Sequence, residues 1–168
     1  MFEDYTVSFF GHRYIYGGYG LEDKIQQICE ELIKKKYYVE FLVGRNGDFD
    51  RFVSSAIRRA QKRQGFENRS HTLVLPYRSM EYENNQEGFE DFYSNIEICE
   101  KSAFVHPKAA IKIRNKYMVD RSDLVICYVE KEGGGAFAAV SYAKACNKKI
   151  INLAETDVQN TQKTLRRR

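Results

Sequence analysis

The hydrophobic positions of the chain fall into five short, continuous runs rich in Val, Ile, Phe and Leu. Within these runs the apolar residues do not alternate with polar ones, which is typical of strands buried on both faces. We therefore predict five buried strands. Their positions are Thr6–Phe10, Val39–Val43, Thr72–Leu75, Leu124–Val129 and Lys149–Leu153.

Between the runs, apolar residues recur with the spacing of helices that bury one face. The helical segments are Leu21–Lys36, Phe49–Arg63, about 107–121 and about Ala136–Cys146, and an insertion at about residues 79–105 is expected to hold one more helix. Strands that alternate with helices favour an α/β fold whose parallel sheet is covered on both faces. We therefore predict a Rossmann-like three-layer sandwich with a mainly parallel sheet of about five strands and right-handed crossovers.

The length of 168 residues suits one domain with about one core. We assign residues 1–156 to that domain and residues 157–168 to a polar, basic C-terminal tail. The longest apolar runs are far shorter than the roughly 18 residues that a membrane span needs. No signal peptide is visible at the N-terminus, so we expect a cytoplasmic protein that has no membrane partner.

The net charge of +4 suggests nucleic acid at first, but the positive charges are concentrated at one end. Residues 163–168 hold four of the 27 basic side chains and no acidic one, so the rest of the chain has 23 of each sign. A nucleic-acid module more often carries a basic face within its folded elements. The neutral domain therefore speaks against nucleic acid as a partner.

The four cysteines and three histidines show no spacing typical of a metal site. Neither a CxxC pair nor an HxxxH or HxH pair occurs, so we expect no metal and no cofactor. In a reducing compartment the cysteines are expected to be free, buried thiols.

Glycine turns follow three of the predicted strands: Gly11-His12-Arg13, Gly44-Arg45-Asn46-Gly47 and Gly133-Gly134-Gly135. The carboxyl ends of parallel strands meet at one edge of the sheet, where open α/β folds bind ligands. Because glycine permits close backbone approach and two of these turns open into helices, we expect them to cradle a phosphate. The alternative is that they are ordinary strand-to-helix turns. The absence of a P-loop motif and of a GxGxxG motif argues against a P-loop NTPase and a standard NAD-dependent dehydrogenase.

Arg114 shares one face of its predicted helix with Ile111 and Met118. An arginine among apolar neighbours usually has an anionic partner. That partner is either a ligand phosphate or carboxylate, or a salt-bridging carboxylate such as Asp120 or Asp123.

Tyrosines and glycines are interleaved directly after the first strand, in the segment Tyr14-Ile15-Tyr16-Gly17-Gly18-Tyr19-Gly20. This segment either forms a mobile lid whose tyrosines stack on a base, or packs its tyrosines on the domain surface. The neighbouring His12 is a candidate to donate to a phosphate or to act in acid–base chemistry.

Three segments carry a family resemblance: Val7–Arg13, Arg114–Asp123 and Gly135–Ala143. The first is similar to a first strand with its glycine turn, the second to the R-x-x-x-M-x-x-x-S-D segment of Lonely Guy phosphoribohydrolases. The third resembles the G-S-x-x-T-A-x-Y-A helix start of DNA-processing protein A. Together they resemble the SLOG superfamily, and most nearly its small YpsA-like (DUF1273) branch in bacteria and phages. The resemblance covers about residues 5–154 and implies self-association and a place in anti-phage systems.

The resemblance also bears on catalysis, because the Lonely Guy arginine that Arg114 matches is catalytic. The glutamate of that family is not matched, since its position falls on or near Val140. An oxocarbenium-like transition state needs a nearby negative charge, so hydrolysis here would require another acid, such as Asp50 or Asp120. We therefore favour a binding protein and keep Arg114, Asp120 and Asp50 as catalytic candidates.

We expect the chain to bind a nucleotide or an NAD-derived signalling nucleotide, for sensing or sequestration, at the carboxyl edge of the sheet. The expected partner is thus a small phosphorylated ligand, and a homodimer or larger homo-oligomer is implied by the resemblance. One alternative is a nucleoside-5′-monophosphate N-glycosidase, and a second is a single-stranded DNA-binding protein. The residues expected to bind the ligand are Gly11, His12, Arg13, Gly44, Arg45, Asn46, Gly47, Arg114, Asn115, Gly133, Gly134, Gly135, Ala136 and Phe137.

Overall fold

The computed structural model describes residues 3–65 and 67–155, and the C-terminal tail predicted at 157–168 lies outside the described residues. Strands and helices alternate along the described chain. They are β1 (Tyr5–Gly11), α1 (Leu21–Lys35), β2 (Val39–Val43), α2 (Asp48–Arg63), β3 (Arg69–Leu75), α3 (Met80–Asn84), α4 (Gln86–Phe92), β4 (Asn95–Ile98), α5 (Pro107–Arg121), β5 (Leu124–Tyr128), α6 (Gly134–Ala145) and β6 (Lys149–Asn152).

The strands form one six-stranded sheet in the order β4-β3-β2-β1-β5-β6, and every neighbouring pair is parallel. β1 lies inside the sheet, where Val7 is in register with Phe41 of β2 and Leu124 of β5. The predicted Rossmann-like α/β class is confirmed. Strands β1 to β4 lie side by side in chain order toward one edge of the sheet, whereas β5 and β6 lie on the other side of β1.

The strand count of about five was wrong, because β4 was not recognised as a strand. β4 lies at the edge of the sheet, pairs only with β3, and has just two apolar residues in Asn95–Ile98. β4 therefore shows no continuous apolar run, which was the pattern used to find the other strands. The segment 79–105 also holds two short helices, α3 and α4, where one was predicted.

Two separate layers of apolar side chains cover the two faces of the sheet. Phe9 and Phe41 pack with residues of α1 and α2, whereas Phe10 and Val125 pack with residues of α5 and α6. Each of these helices follows a strand, so its N-terminal end lies toward the carboxyl edge of the sheet. No described helix is long and apolar enough to cross a membrane.

His71 is a titratable side chain buried in β3, with 1% of its surface exposed. Its Nε2 lies 3.1 Å from Ser54 Oγ, and its ring packs edge-on against Tyr93. Burial, assisted by the charge of Arg58, lowers the pKa of His71 to about 3. The imidazole is therefore neutral in the folded protein at pH 7.

This depressed pKa predicts that the protein loses stability as the pH falls below about 6.5. The unfolded chain takes up a proton at His71 there and the folded chain does not, so the free energy of unfolding falls by up to about 1.4 kcal/mol per pH unit. Urea unfolding of the wild type and of His71→Met at pH 7 and pH 5 measures the difference. Equal losses in the two proteins would contradict the assignment.

Candidate functional site

A cleft opens between the carboxyl ends of β1 and β5, where the direction of strand order reverses. In open α/β sheets such a switch point is the usual place for a ligand. The cleft has a volume of about 330 Å³. We call it the switch-point cleft, and its lining residues are Phe9, Phe10, Gly11, His12, Arg13, Gly44, Asn46, Asp50, Ile111, Arg114, Asn115, Met118, Gly134, Gly135 and Ala136.

Close packing of the turns after β1 and β2 shapes one side of the cleft. A Cβ atom on Gly11 would lie 2.1 Å from the Phe49 ring, and one on Gly47 would lie 2.5 Å from the Cα of Arg13. The backbone N–H of Asp48 donates to the carbonyl of Arg13 over 2.8 Å. Both glycines are therefore required for space, and they hold the two turns together.

Glycine is required after β5 for a different reason, which is the backbone conformation. Gly133 and Gly134 have φ values of +90° and +83°, whereas a Cβ atom there would meet no other atom within 4 Å. Glycine adopts this backbone conformation without the penalty of other residues. The chain thereby turns into α6 so that Gly134, Gly135 and Ala136 face the cleft at the helix N-terminus. The first N–H groups of a helix have no partner within the helix and favour a negative group.

Arg114 is the buried cation of the cleft, with 5% of its surface exposed. Its Nη1 donates to the Val74 carbonyl over 2.7 Å and its Nε donates to Asn115 Oδ1 over 2.9 Å. These bonds leave Nη2 without an acceptor among the described residues. Burial lowers the pKa of Arg114, and the charge of Asp50 opposes that shift. The alternative of a salt bridge to Asp120 or Asp123 is not realised, since Asp120 accepts the Tyr142 hydroxyl and Asp123 accepts the backbone N–H of Thr6.

Asp50 lies beside Arg114 at the wall formed by Gly44. A Cβ atom on Gly44 would be 3.0 Å from Asp50 Oδ2 and 3.4 Å from Arg114 Nη1. Asp50 Oδ2 accepts the backbone N–H of Asn46 over 2.7 Å. Burial raises the pKa of Asp50, while the Asn46 N–H and Arg114 lower it. The carboxyl group thus orders the turn after β2 and faces the same cavity as the arginine.

His12 ties the turn after β1 to the turn after β5. Its Nε2 accepts the backbone N–H of Glu130 over 2.9 Å and that of Lys131 over 3.4 Å. An Nε2 that accepts leaves the ring proton on Nδ1, so only that N–H remains to contact a ligand. Arg13 is exposed beside it, with one long hydrogen bond from Nε to the Asn46 carbonyl.

Five of the predicted site residues lie outside the switch-point cleft. Arg45 and Gly47 line a neighbouring cavity, and Gly133 lies exposed at the N-terminus of α6. Phe137 is partly buried on α6, and Asp120 accepts the Tyr142 hydroxyl at the other end of α5, toward the amino edge of the sheet. Of the three catalytic candidates, the cleft brings together only Arg114 and Asp50. Among residues 3–65 and 67–155, no three His, Cys, Asp or Glu side chains are placed to hold a metal ion.

The interleaved aromatic segment after β1 forms a loop beside Arg13. Its backbone is fixed where the Ile15 N–H donates to Asp48 Oδ2 over 3.0 Å. We call Tyr14, Tyr16 and Tyr19 the loop tyrosines, and their exposed fractions are 65%, 85% and 92%. Rings this exposed are not packed on the domain surface, which was the alternative considered for this segment.

The basic face that sequence reasoning missed lies along α5. Residues 101–119 contain five basic side chains and no acidic one. Lys108, Lys112 and Lys116 are exposed and follow each other at four-residue spacing on this helix, and we call them the basic stripe. The local charge pattern of residues 101–119 was the signal that could have revealed this basic face. The net charge of the whole chain does not show it, because acidic residues elsewhere balance these positive charges.

Comparison with known proteins gives structural neighbours only. No family model matches the chain, and no curated protein matches its sequence. Its fold is similar to DNA processing protein A from Helicobacter pylori, solved for its single-stranded DNA binding mode, with a TM-score of 0.61 and 15% identity. The match covers 87% of this chain and 63% of that one. DNA processing protein A from Streptococcus pneumoniae gives a TM-score of 0.63 and 14% identity, over 87% of this chain and 49% of that one.

These neighbours contradict two of the expectations from the sequence. The interpretation as a sensor of a nucleotide or NAD-derived signal was wrong, since nothing found supports it and the neighbours favour the alternative of single-stranded DNA binding. The view that nucleic acid is not a partner was also wrong, because both neighbours are DNA-processing proteins. The chain spans about half to under two thirds of the length of these proteins. What it shares with them is the Rossmann-like fold of DNA processing protein A.

Proposed function

We propose that this chain binds single-stranded DNA at the carboxyl edge of its sheet, with one backbone phosphate in the switch-point cleft. The observation that carries the proposal is the guanidinium of Arg114, which is buried, faces the cleft, and retains an unused donor at Nη2. A guanidinium with a free N–H edge suits a phosphate oxygen. The N-terminus of α6, which also lines the cleft, adds backbone donors to the same cavity.

The exposed surface beside the cleft suits a strand rather than a single small molecule. The loop tyrosines follow Arg13, which lines the cleft, and they offer aromatic faces to unpaired bases. Each stacked base contributes about 1–3 kcal/mol and requires no particular sequence. A paired duplex hides these base faces, so the loop favours single strands.

The basic stripe on α5 supplies long-range attraction for the DNA strand. Lys108 and Lys112 have no acidic partner among the described residues, and the N-terminal half of α5 begins at the same edge of the sheet as the cleft. Exposed lysines next to a phosphate site attract a polyanion and make binding sensitive to salt. The strand would therefore run from the loop tyrosines across the cleft to α5.

The evolutionary placement forms part of the proposal. The segment Arg114–Asp123 supports membership of the SLOG superfamily and its YpsA-like branch, and the arginine of that segment is the one that faces the cleft. Self-association as a homodimer is also part of this proposal, and light scattering of the purified chain tests it.

Binding is tested by fluorescence anisotropy with a labelled oligothymidine, at several salt concentrations and against a duplex of the same length. We expect the single strand to bind more tightly, with affinity that falls as salt rises. The double variant Lys108→Gln/Lys112→Gln is expected to reduce the slope of log K against log salt by about 1.4, because each phosphate contact on a single strand contributes about 0.7.

Lys34→Gln/Lys62→Gln is the matched control, since it removes the same charge from the C-terminal ends of α1 and α2, toward the opposite edge of the sheet. The control is expected to keep the wild-type slope. Absence of binding to any single strand at low salt, or equal slopes in both double variants, would count against the proposed interface.

A further inference from the structure

A second cavity lies next to the switch-point cleft and shares a wall with it. Its volume is about 280 Å³. Gly44 and Asp50 line both cavities, so the two cavities are direct neighbours. The complete lining is Gly44, Arg45, Gly47, Asp50, Arg51, Ser54, Glu81, Phe92 and Tyr93.

Three of the four charged side chains that line the second cavity are already in ion pairs. Arg45 Nη2 donates to Glu81 Oε1 over 2.9 Å, and the Arg45 guanidinium stacks on the Phe89 ring at 4.5 Å. Arg51 Nη2 likewise donates to Asp48 Oδ1 over 2.6 Å. With both arginines paired and the Glu81 carboxylate in its wall, this cavity disfavours a phosphate. It suits an uncharged group instead.

The remaining wall of the cavity is aromatic and carries hydroxyl groups. Phe92 and Tyr93 contribute rings, and the Tyr93 hydroxyl accepts a hydrogen bond from Arg45 Nη1 over 3.3 Å. Rings bind a flat group through their faces, and hydroxyl groups both donate and accept hydrogen bonds. These are the features that a heterocyclic base requires.

Ser54 is the hydroxyl at the buried end, and His71 determines how it is oriented. The Ser54 side chain is 5% exposed and its Oγ lies 3.1 Å from His71 Nε2. His71 Nδ1 is buried without a partner among the described residues. Because a buried N–H without an acceptor is rarer than an unused lone pair, the proton belongs on Nε2 and is donated to Ser54. The Ser54 hydroxyl also hydrogen-bonds with the Tyr93 hydroxyl, so the two hydroxyls form a pair in the wall of the cavity.

We propose that the second cavity receives one base of the strand whose phosphate lies in the switch-point cleft. This inference rests on the proposed function. A volume of 280 Å³ is near the lower end of small-molecule pockets, about 300–1,000 Å³, and fits one ring system rather than a whole nucleotide. Phe92 and Tyr93 contact the ring, and the paired hydroxyls of Ser54 and Tyr93 form hydrogen bonds with it.

Photo-crosslinking of the wild-type chain to an oligothymidine that carries 5-iododeoxyuridine tests the location of the base. We expect crosslinked residues at Phe92 or Tyr93, identified by mass spectrometry. Crosslinks found only at the loop tyrosines or elsewhere would overturn the base cavity and leave the proposed DNA binding intact. An oligonucleotide that does not bind at all would overturn the proposed function, and the base cavity with it.

A pair of serine variants tests the hydrogen bond. Ser54→Ala is expected to weaken binding of oligothymidine about 2- to 10-fold, the range for one hydrogen bond, and to leave binding of an abasic strand of the same length unchanged. Ser55→Ala, on the same helix but outside the cavity lining, is the control and is expected to bind both strands like the wild type. Equal weakening on both strands, or no weakening on either, would contradict a base at Ser54.

Discussion

Replacing Arg114 with methionine is expected to reduce affinity for single-stranded DNA by about 5- to 150-fold, which corresponds to about 1–3 kcal/mol. The side chain is the buried cation of the switch-point cleft, and its Nη2 is the donor that the fold leaves unused. Methionine keeps much of the volume and removes both the charge and the donors. Anisotropy with oligothymidine at fixed salt measures the loss.

Arg114→Met is also expected to lower the stability of the protein, and this effect must be separated from the effect on DNA affinity. It leaves the Val74 carbonyl without its donor and Asp50 without its neighbouring cation. A buried polar group without a partner costs about 1–3 kcal/mol. Binding is therefore compared well below the Tm of each variant, with Tm measured in parallel. Arg114→Lys keeps the charge without the planar fork and is expected to bind with intermediate affinity.

Arg121→Met is the matched control on the same helix. Arg121 Nη1 donates to Glu97 over 2.8 Å, and its Nη2 pairs with Glu40, at the amino edge of the sheet. Its loss also breaks a partly buried ion-pair network and lowers stability. It is expected to leave DNA affinity unchanged, because the network lies away from the cleft. If both arginine variants lost affinity equally, the effect of Arg114 would be one of folding alone.

The sequence predicted most of the fold because the interior of a parallel sheet has a strong local signature. β1, β2 and β5 are buried on both faces, and each appears in the sequence as an unbroken apolar run. β4 has no such run, since its Asn95 and Glu97 face a region of the sheet that forms a polar groove. β6 lies at the other edge of the sheet, but it was predicted because Ile150 and Ile151 are adjacent in the sequence.

The cleft was predictable in outline for a topological reason. Gly11, Gly44 and Gly134 are far apart in the sequence, but each follows a strand of one parallel sheet, so the fold must bring them to one edge. Arg114 was recognisable as a charge on an apolar helix face. What each side chain contacts within the cleft was not predictable, since Arg114 turned out to lie beside Asp50, more than sixty positions away.

Pairings across the fold explain the parts that sequence reasoning missed. Arg45 was expected to bind the phosphorylated ligand, but it pairs with Glu81, and no local pattern links those two positions. Ser54 and His71 lie on α2 and β3 and meet only in the folded protein. The net charge led to the wrong expectation about nucleic acid for a related reason. It adds the positive charge of α5 to the negative charge of acidic segments elsewhere, so the local excess of positive charge on α5 does not appear in the sum.

Gly11→Ala is expected to be the most destabilising of the glycine substitutions at the cleft. A Cβ atom at Gly11 would lie 2.1 Å from the ring of Phe49, which is fully buried in the core between β1 and α2. Neither the strand nor the ring moves without disturbing its neighbours, so we expect a loss of about 2–3 kcal/mol. For a domain of this size that is roughly 4–12 °C in Tm. Thermal unfolding followed by circular dichroism measures the shift.

Two further variants separate steric conflict at Gly11 from a general effect of alanine at the cleft. Gly135→Ala places its methyl group in open space at the start of α6, so it is expected to keep or slightly raise the Tm. Phe49→Leu removes part of the ring that conflicts with the new methyl group. The double variant Gly11→Ala/Phe49→Leu is therefore expected to lose less stability than the sum of the two single losses, because residues in contact are not additive. Strict additivity would mean that Gly11 is required for a reason other than its contact with Phe49.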